Sequence, residues 1–191
     1  GETWTYEGDF SAGVFEGEGK TTWEDGTVQI GTYHEGVWQA TEWGLLFVAE
    51  STDAITVSDE ASSFIKENAE FFPSDSIEKF QDNIDESITY KMVMKEPDKY
   101  GNKIMKANDL YVVQINTSQI YKDCEDKYTY AILCDNDLNI YQIYMMGELP
   151  NIYEGDTIKT MYGTPVGNNS YESSNGGFVN SVVVAPCWIQ K

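Results

Sequence analysis

Residues 6–26 read YEGDFSAGVFEGEGKTTWEDG, and this stretch decides the fold of the N-terminal part. Aromatic residues alternate with polar ones, which is typical of a strand with one buried face. Asp25-Gly26 is a turn signal, because glycine accepts the positive φ that tight hairpin turns require. The other glycines allow strands to turn sharply or to approach each other closely. The stretch therefore predicts a string of β-hairpins.

The pattern repeats along the chain at a shift of 23 residues. The shift superposes five pairs of residues: Gly8 on Gly31, Phe10 on Tyr33, Gly13 on Gly36, Val14 on Val37 and Phe15 on Trp38. The second copy, at 29–44, is degenerate, because Ala40 and Glu42 stand where the first copy has its Gly-x-Gly. We interpret the repeat as further hairpins of the same kind.

This pattern resembles the MORN repeat, which runs Tyr-x-Gly-x-aromatic, a further Gly, then Gly-x-Gly and an Asp-Gly turn. The copy from Tyr6 to Gly26 matches well, and the resemblance covers roughly the first 44 residues. It implies a short antiparallel sheet that serves mainly as a scaffold or docking surface. Lipid binding has been proposed for some members. Here residues 1–60 hold 13 acids and one Lys, which argues against anionic lipid.

The central part of the chain predicts helices. The apolar run Leu45–Ala49 predicts a short strand that closes the repeat sheet. Ser58 then caps a helix that ends at Pro73, and a cap at Ser74 or Asp75 starts another. Their inward residues are predicted to be Ala61, Phe64, Ile65 and Phe72 in the first helix and Ile77, Phe80 and Ile84 in the second.

The C-terminal part predicts a small barrel. Tyr90–Met94 alternates like a strand. Five further strand-like runs follow: Leu110–Ile115, Tyr128–Cys134, Ile140–Met146, Thr157–Gly163 and Val179–Ile189. Five strands with a glycine-rich connection from Gly167 to Gly177 indicate a closed Greek-key barrel of the OB type.

Several motifs in this part resemble OB-fold-like domains of exported or membrane-anchored proteins of low-GC Gram-positive bacteria. They are Lys95–Gly101, Val112–Ile115, Glu154–Ile158, Tyr162–Gly167 and Tyr171-Glu172, within roughly residues 88–190. Lys95-Glu96-Pro97-Asp98 departs from the usual Arg-Asn-Pro-Asp. The resemblance implies a location in the cell envelope and a binding or assembly role, and it brings no catalytic residues. Because the chain begins at Gly1 rather than Met, we expect an exporting or anchoring segment before it.

Together these features predict a mainly β protein with a short helical segment, an α+β arrangement. We expect MORN-like hairpin repeats over residues 1–50, a helical connector over 51–88 and a five-stranded OB-like barrel over 89–191.

Composition limits the function. The net charge is −20 and the chain has no Arg, which argues against a nucleic-acid partner, since phosphates are bound by clustered Lys and Arg. No apolar run approaches about 18 residues, so we expect no membrane insertion by this fragment. Three cysteines, Cys124, Cys134 and Cys187, form no disulfide framework, and with one histidine, His34, they predict no metal site. Cys124 is expected opposite Lys127 in a hairpin, too far from Cys134 to bond.

A ligand face can be derived for the barrel. If Asn136–Leu138 forms a hairpin tip, Tyr130 faces Tyr144, and Ile132 faces Gln142, on one side of the sheet. The other side is more apolar and should be core: Ala131 opposite Ile143 and Leu133 opposite Tyr141. The predicted ligand-binding residues are Tyr130, Gln142, Tyr144 and Tyr171. The tyrosines are alternatively ordinary cross-strand pairs.

Three hypotheses for the function follow. The first is a non-enzymatic binding or interaction module of the bacterial cell envelope, with a protein, peptide or glycan partner. The second is a carboxylate-dependent, glycosidase-like hydrolase acting in a cleft between the two β units, which requires two carboxyl groups about 5–10 Å apart. The third is a purely structural spacer. The sequence predicts no catalytic residues and no cofactor. The only histidine, His34, lies at an expected turn, where a polar residue is ordinary.

Overall fold

The structure is a computed structural model that describes residues 3–120, 125–172 and 176–191, without the side chains of Tyr171 and Glu172. It is mainly β, with 48% of residues in strands and 21% in helices, so the predicted fold class is confirmed. An N-terminal antiparallel sheet, a group of helices and a C-terminal barrel follow each other along the chain.

The N-terminal sheet has four antiparallel strands in sequence order. They are β1 (Trp4–Ser11), β2 (Val14–Trp23), β3 (Val28–His34) and β4 (Val37–Gln39). The turns after β1 and β3 place Gly13 at φ 85° and Gly36 at φ 82°, a region that favours glycine. The repeat relates these two glycines, and each lies in a turn between antiparallel strands. The predicted string of hairpins is therefore confirmed.

A glycine in β2 makes room for an aromatic ring. A Cβ atom on Gly19 would lie 2.5 Å from two ring carbons of Tyr6, closer than any side chain could fit. The Tyr6 ring stacks on Phe15, with ring centroids 3.8 Å apart and planes 9° from parallel. The Tyr6 hydroxyl donates a hydrogen bond to the backbone oxygen of Asp9, where the register between β1 and β2 shifts. The bare backbone of Gly19 therefore allows the ring to lie flat on the sheet.

The strand predicted at Leu45–Ala49 is wrong, because these residues belong to helix α1 (Glu42–Ser51). The Thr41 hydroxyl caps the helix by accepting a hydrogen bond from the Gly44 backbone N–H at 3.0 Å. A short apolar run is compatible with a buried strand or a buried helix, so its periodicity does not distinguish them.

The next predicted helix is confirmed in its first part only. Helix α2 (Asp59–Glu67) begins after Ser58, whose side chain accepts a hydrogen bond from the Ala61 N–H at 3.2 Å, as the capping residue predicted. Beyond it the chain forms a single 3₁₀ turn at Ala69–Phe71. The second predicted helix consists of two 3₁₀ turns, at Ile77–Lys79 and Gln81–Asn83.

The inward residues of this segment follow the prediction even though the regular helix does not. Phe80 is fully buried, and Ile77 and Ile84 pack against the same core from partly buried positions. The burial of apolar side chains therefore persists here while the backbone follows tighter turns.

The strand predicted at Tyr90–Met94 is also wrong, because the segment forms helix α3 (Tyr90–Lys95). Thr89 caps it, and Val93 on its inner side is fully buried in the core of the barrel. The alternating pattern of five residues is too short to exclude a helical turn that buries one residue and exposes its neighbours.

The predicted five-stranded closed barrel is confirmed. Its strands are β5 (Met105–Gln119), β6 (Lys127–Cys134), β7 (Ile140–Met146), β8 (Thr157–Glu172) and β9 (Phe178–Gln190). They close in the order β5-β6-β7-β9-β8, with β8 pairing back to β5. The predicted connection from Gly167 to Gly177 is shorter than expected, because β8 continues into it as far as Glu172. Strands β8 and β9 form a hairpin in which Glu172 pairs with Phe178.

Two cores stabilise this part. The inside of the barrel is filled by buried side chains such as Leu110, Leu133 and Ile158. A second core, with Leu46 of α1 and Ile65 of α2, packs the helices against the outside of the barrel near Val183. The helices therefore pack on the barrel through apolar contacts.

The cysteine expectation is tested in part. Lys127 pairs with Gln119, so the expected pairing of Lys127 with Cys124 is wrong. Cys124 itself lies outside the described residues. Cys134 and Cys187 are free thiols, the first partly and the second fully buried.

We expect Gly19→Ala to destabilise the protein by about 2 kcal/mol, because the added methyl group forces the stacked Tyr6 ring off the sheet. Denaturant unfolding, followed by tryptophan fluorescence, measures this change. The control is Thr5→Ala at an exposed position of β1, for which we expect a change within about 0.5 kcal/mol. Equal free energies of unfolding for the two variants would contradict the role given to Gly19.

Candidate functional site

The predicted barrel face forms with the predicted register. Tyr130 pairs with Tyr144 across β6 and β7, and their ring centroids lie 5.1 Å apart. Tyr144 is half-buried and packs against the core under the helices. Burial and the neighbouring tyrosines Tyr130 and Tyr128 raise the pKa of its hydroxyl to about 12. The helical segment therefore partly covers this face.

Gln142 pairs with Ile132, next to the tyrosine pair on the same face, and is 2% exposed. Its amide nitrogen donates a hydrogen bond to the Ser181 hydroxyl at 2.9 Å, and its oxygen accepts one from Asn169 at 3.5 Å. The side chain of Tyr171 lies outside the described residues. Ligand binding by these four residues stays a prediction, and Gln142 would reach a ligand only if the packing around it opened.

A larger aromatic cluster lies on the N-terminal sheet. We call it the aromatic face, and it consists of Trp4, Tyr6, Phe10, Phe15 and Tyr33. Phe15 touches the other four rings, at centroid distances between 3.8 and 5.6 Å. Edge-to-face contacts dominate, an arrangement that aromatic pairs prefer. The face is therefore a packed, pre-organised surface.

The outer rings of this face are open to solvent. Phe10 is 59% exposed and Trp4 is 49% exposed, whereas Tyr33 in the middle is 5% exposed. Large exposed aromatic side chains on a rigid sheet are typical of an interaction surface.

The sequence carries a signal for this face that the hairpin prediction did not use. Trp4, Tyr6 and Phe10 are separated by even numbers of residues, so their side chains share one face of β1. The register shift between Gly8 and Phe10 leaves Phe10 in the same cluster. Alternation alone predicts that one face is buried, and it does not tell whether another element covers that face.

The opposite face of the sheet is the one that the chain covers. Glu18 accepts a hydrogen bond from the indole N–H of Trp43 at 3.0 Å, and it pairs with the Lys66 ammonium at 2.6 Å. Lys66 also lies over the Trp43 ring, 4.3 Å from its centroid. Since Glu18 stands between Gly17 and Gly19 in β2, it points away from the aromatic face. The helices therefore occupy one side of the sheet.

Negative charge surrounds the aromatic face. The pKa of the Tyr6 hydroxyl is raised, first by burial, then by Tyr33 and by the charges of Asp9 and Glu16. Asp9 is exposed and is not among the carboxylates that form an ion pair within the described residues. The aromatic rings therefore sit in a negative field.

A buried carboxyl group joins helix α1 to the barrel. Glu42 is 2% exposed, and its Oε2 atom accepts a hydrogen bond from the Met146 N–H of β7 at 2.8 Å. Its Oε1 atom has no hydrogen-bond partner within the described residues. Burial raises the pKa of Glu42 to about 8, and the burial of Cys187, reinforced by Glu42, raises the pKa of that thiol. The sequence placed Glu42 where the repeat should have a glycine and gave no sign of this role.

The remaining sequence candidates are accounted for. His34 ends β3 and is exposed, and its Nδ1 atom lies 2.9 Å from Glu16, which raises the pKa of the imidazole. Within the described ranges, no three His, Cys, Asp or Glu side chains are placed to hold a metal ion. In the same part of the chain, no helix has the length and apolarity needed to cross a membrane.

Comparison with known proteins agrees with the N-terminal resemblance. The family model of the MORN repeat matches residues 6–28. This family generally forms non-enzymatic modules that bind proteins or membrane lipids. The chain has no significant match among curated proteins or among solved structures.

We expect Glu42→Gln to change how stability depends on pH. The pKa of this group is 4.5 in the unfolded chain and about 8 in the folded protein, which therefore holds an extra proton between these values. The stability contributed by that proton is complete below pH 4.5. It is lost at about 1.4 kcal/mol per pH unit up to about pH 8. Denaturant unfolding across this window should show a steeper loss in the natural protein than in the variant.

The control for this experiment is Glu154→Gln, which makes the same substitution at an exposed position of the barrel. Its unfolding free energy should follow the natural protein at each pH. Parallel pH profiles for Glu42→Gln and the natural protein would show that Glu42 titrates normally and is not buried as described.

Proposed function

We propose that this protein is a non-enzymatic binding module of the bacterial cell envelope that holds a protein partner on its aromatic face. One observation carries the proposal: Trp4 and Phe10 remain 49% and 59% exposed although they belong to a packed ring cluster. Burying such rings against a partner removes a large apolar area from water, and aromatic residues dominate the energetics of many interfaces.

The architecture supports binding at this surface. Tyr6 and Phe15 are fixed by their stacking, so little side-chain freedom is lost when a partner docks. The other side of the same sheet is held by Trp43 and Lys66, which leaves the aromatic face as the side offered to a partner. The MORN match covers the strands that carry most of these rings.

The hydrolase hypothesis finds less support. Among the described carboxyl groups with a shifted pKa, Glu42 is the one whose pKa is raised, as a general acid requires. It is 2% exposed and sealed between α1 and β7, so a glycan chain has no access to it.

A groove between α3 and the β6–β7 turn also contains carboxylates, and two of them are engaged in local contacts. Glu86 pairs with Lys106 at 3.1 Å. Asp135 accepts hydrogen bonds from the backbone N–H groups of Asp137 and Asn139, both at 2.9 Å. Structural roles of this kind favour a stable turn over acid–base chemistry. The spacer hypothesis, in turn, gives no reason for exposed aromatic rings on the sheet.

The envelope location rests on the resemblance of residues 88–190 to exported OB-fold-like domains. It is tested by expressing the full gene with a C-terminal tag and treating intact cells with protease. Loss of the tag in intact cells would support the location, and protection of the tag until lysis would refute it. The binding proposal stands or falls separately, because it depends on the aromatic face alone.

A display library of random peptides tests the binding proposal. We expect peptides to be enriched on the natural protein and lost on a Trp4→Ala/Phe10→Ala double variant, because the variant removes the two exposed rings. Enrichment is measured by sequencing the selected peptides. Circular dichroism and unfolding confirm that the double variant is folded.

The matched control is Phe178→Ala, which removes a ring that is 78% exposed at the start of β9. It should retain the same selected peptides as the natural protein. The absence of enriched peptides, or equal enrichment on the double variant, would refute binding at the aromatic face.

A further inference from the structure

Both faces of the N-terminal sheet combine aromatic rings with a carboxylate. Among the described residues, only the covered face also has a lysine ammonium over a ring. On the covered face, the Lys66 ammonium lies between the Glu18 carboxylate and the Trp43 ring, 2.6 Å from the first and 4.3 Å from the centroid of the second. An ammonium group in this position gains from both the ion pair and the cation–π contact. This face of the sheet is therefore supplied with its own cation.

The aromatic face combines exposed rings with the carboxylate of Asp9. The rings of Tyr6 and Phe10 lie with centroids 5.0 Å apart, and Asp9 stands between them in the sequence, where the register between β1 and β2 shifts. The Tyr6 hydroxyl is bonded to the backbone of Asp9, which holds the two residues together. A Cβ atom on Gly17 would lie 2.9 Å from the Asp9 carboxylate, and Gly17 pairs with Tyr33 of the aromatic face. The exposed Asp9 carboxylate therefore lies at the edge of this aromatic surface.

Among the described residues, no lysine ammonium lies over a ring of this face. The ammonium groups that lie over rings in the described residues do so over Trp43, Tyr100, Tyr153 and Tyr162, all outside the aromatic face. The one lysine of residues 1–60, Lys20, neighbours Gly19 in β2 and is directed to the opposite face.

Charge also limits the choice of partner. The chain carries a net charge of −20 and no Arg, so a second copy would bring repulsion rather than a complementary cation. Anionic lipid headgroups would be repelled in the same way. A partner that supplies positive charge to the rings fits both observations.

We infer that the aromatic face binds a basic, arginine- or lysine-bearing segment of another protein, whose cations lie on the exposed Phe10 ring beside Asp9. This inference rests on the proposed function and names the chemistry of its partner. Arginine suits the position best, because its planar guanidinium stacks on aromatic rings while it donates to a carboxylate.

The test uses the full chain and two labelled decapeptides that differ only in charge. One alternates arginine with glycine, and the other alternates citrulline with glycine, which keeps the shape and removes the charge. Fluorescence anisotropy at about 0.15 M ionic strength, where long-range attraction is screened, measures the two affinities. We expect the arginine peptide to bind at least about tenfold more tightly than the citrulline peptide.

Four variants locate the bound peptide. We expect Phe10→Ala to weaken arginine-peptide binding by about three- to tenfold and Asp9→Asn by about threefold. The controls Phe178→Ala and Asp137→Asn remove a ring more exposed than Phe10 and an exposed turn carboxylate, both on the barrel, and they should leave the affinity within about twofold.

Each other outcome overturns the inference in a recognisable way. Equal weakening by Asp9→Asn and Asp137→Asn, with no effect of Phe10→Ala, would mean a general attraction of polycations to an acidic protein. Equal binding of the two peptides, sensitive to Phe10→Ala, would refute the basic partner while the proposed protein-binding function survives. Binding of zwitterionic phosphatidylcholine vesicles that is lost in Phe10→Ala would assign the face to lipid. Failure of the proposed function itself is seen separately, as a display library that yields no peptide dependent on Trp4 and Phe10.

Discussion

The N-terminal sheet depends on the contact between the Tyr6 ring and the bare backbone of Gly19. Any side chain at that position would collide with ring carbons only 2.5 Å away, so the ring can lie flat only over glycine. Lying flat, it stacks on Phe15 and brings five aromatic rings onto one side of three short strands. A thin sheet of this kind has little core of its own, and the ring cluster supplies the apolar packing on that side.

The other side of the sheet connects the sheet to the barrel through the helices. Glu18 is held by Trp43 and Lys66, and helix α1 continues into the apolar core on the outside of the barrel. Glu42 completes the junction with a single hydrogen bond to β7, at the cost of a buried carboxyl group. Because the connection uses one face only, the ring cluster on the other face stays open. This arrangement leaves the ring cluster available for the binding that we propose.

The barrel follows a simpler logic. Its strands could be predicted from the sequence because each hairpin has a turn signal and an alternating pattern. The predicted register around the turn at Asn136–Leu138 is observed: Tyr130 pairs with Tyr144, and Ala131 pairs with Ile143. The predicted site on its outer surface was harder to read. Gln142 alternates correctly to point outward, yet it is buried, because a neighbouring part of the fold lies against that surface. Alternation tells which residues share a face, and the exposure of that face depends on elements distant in the sequence.

The sequence by itself determined the local features: the hairpin turns at Gly13 and Gly36, the cap at Ser58 and the five strands of the barrel. Each of these depends on backbone preferences or hydrogen bonds between near neighbours, which a short stretch of residues specifies. Only the tertiary structure decided that Leu45–Ala49 is helical, that Glu42 is buried and that the rings of Trp4 and Phe10 face solvent. The reason is physical: a short apolar run adopts the conformation that its packing partners stabilise, and those partners are brought together only when the chain has folded.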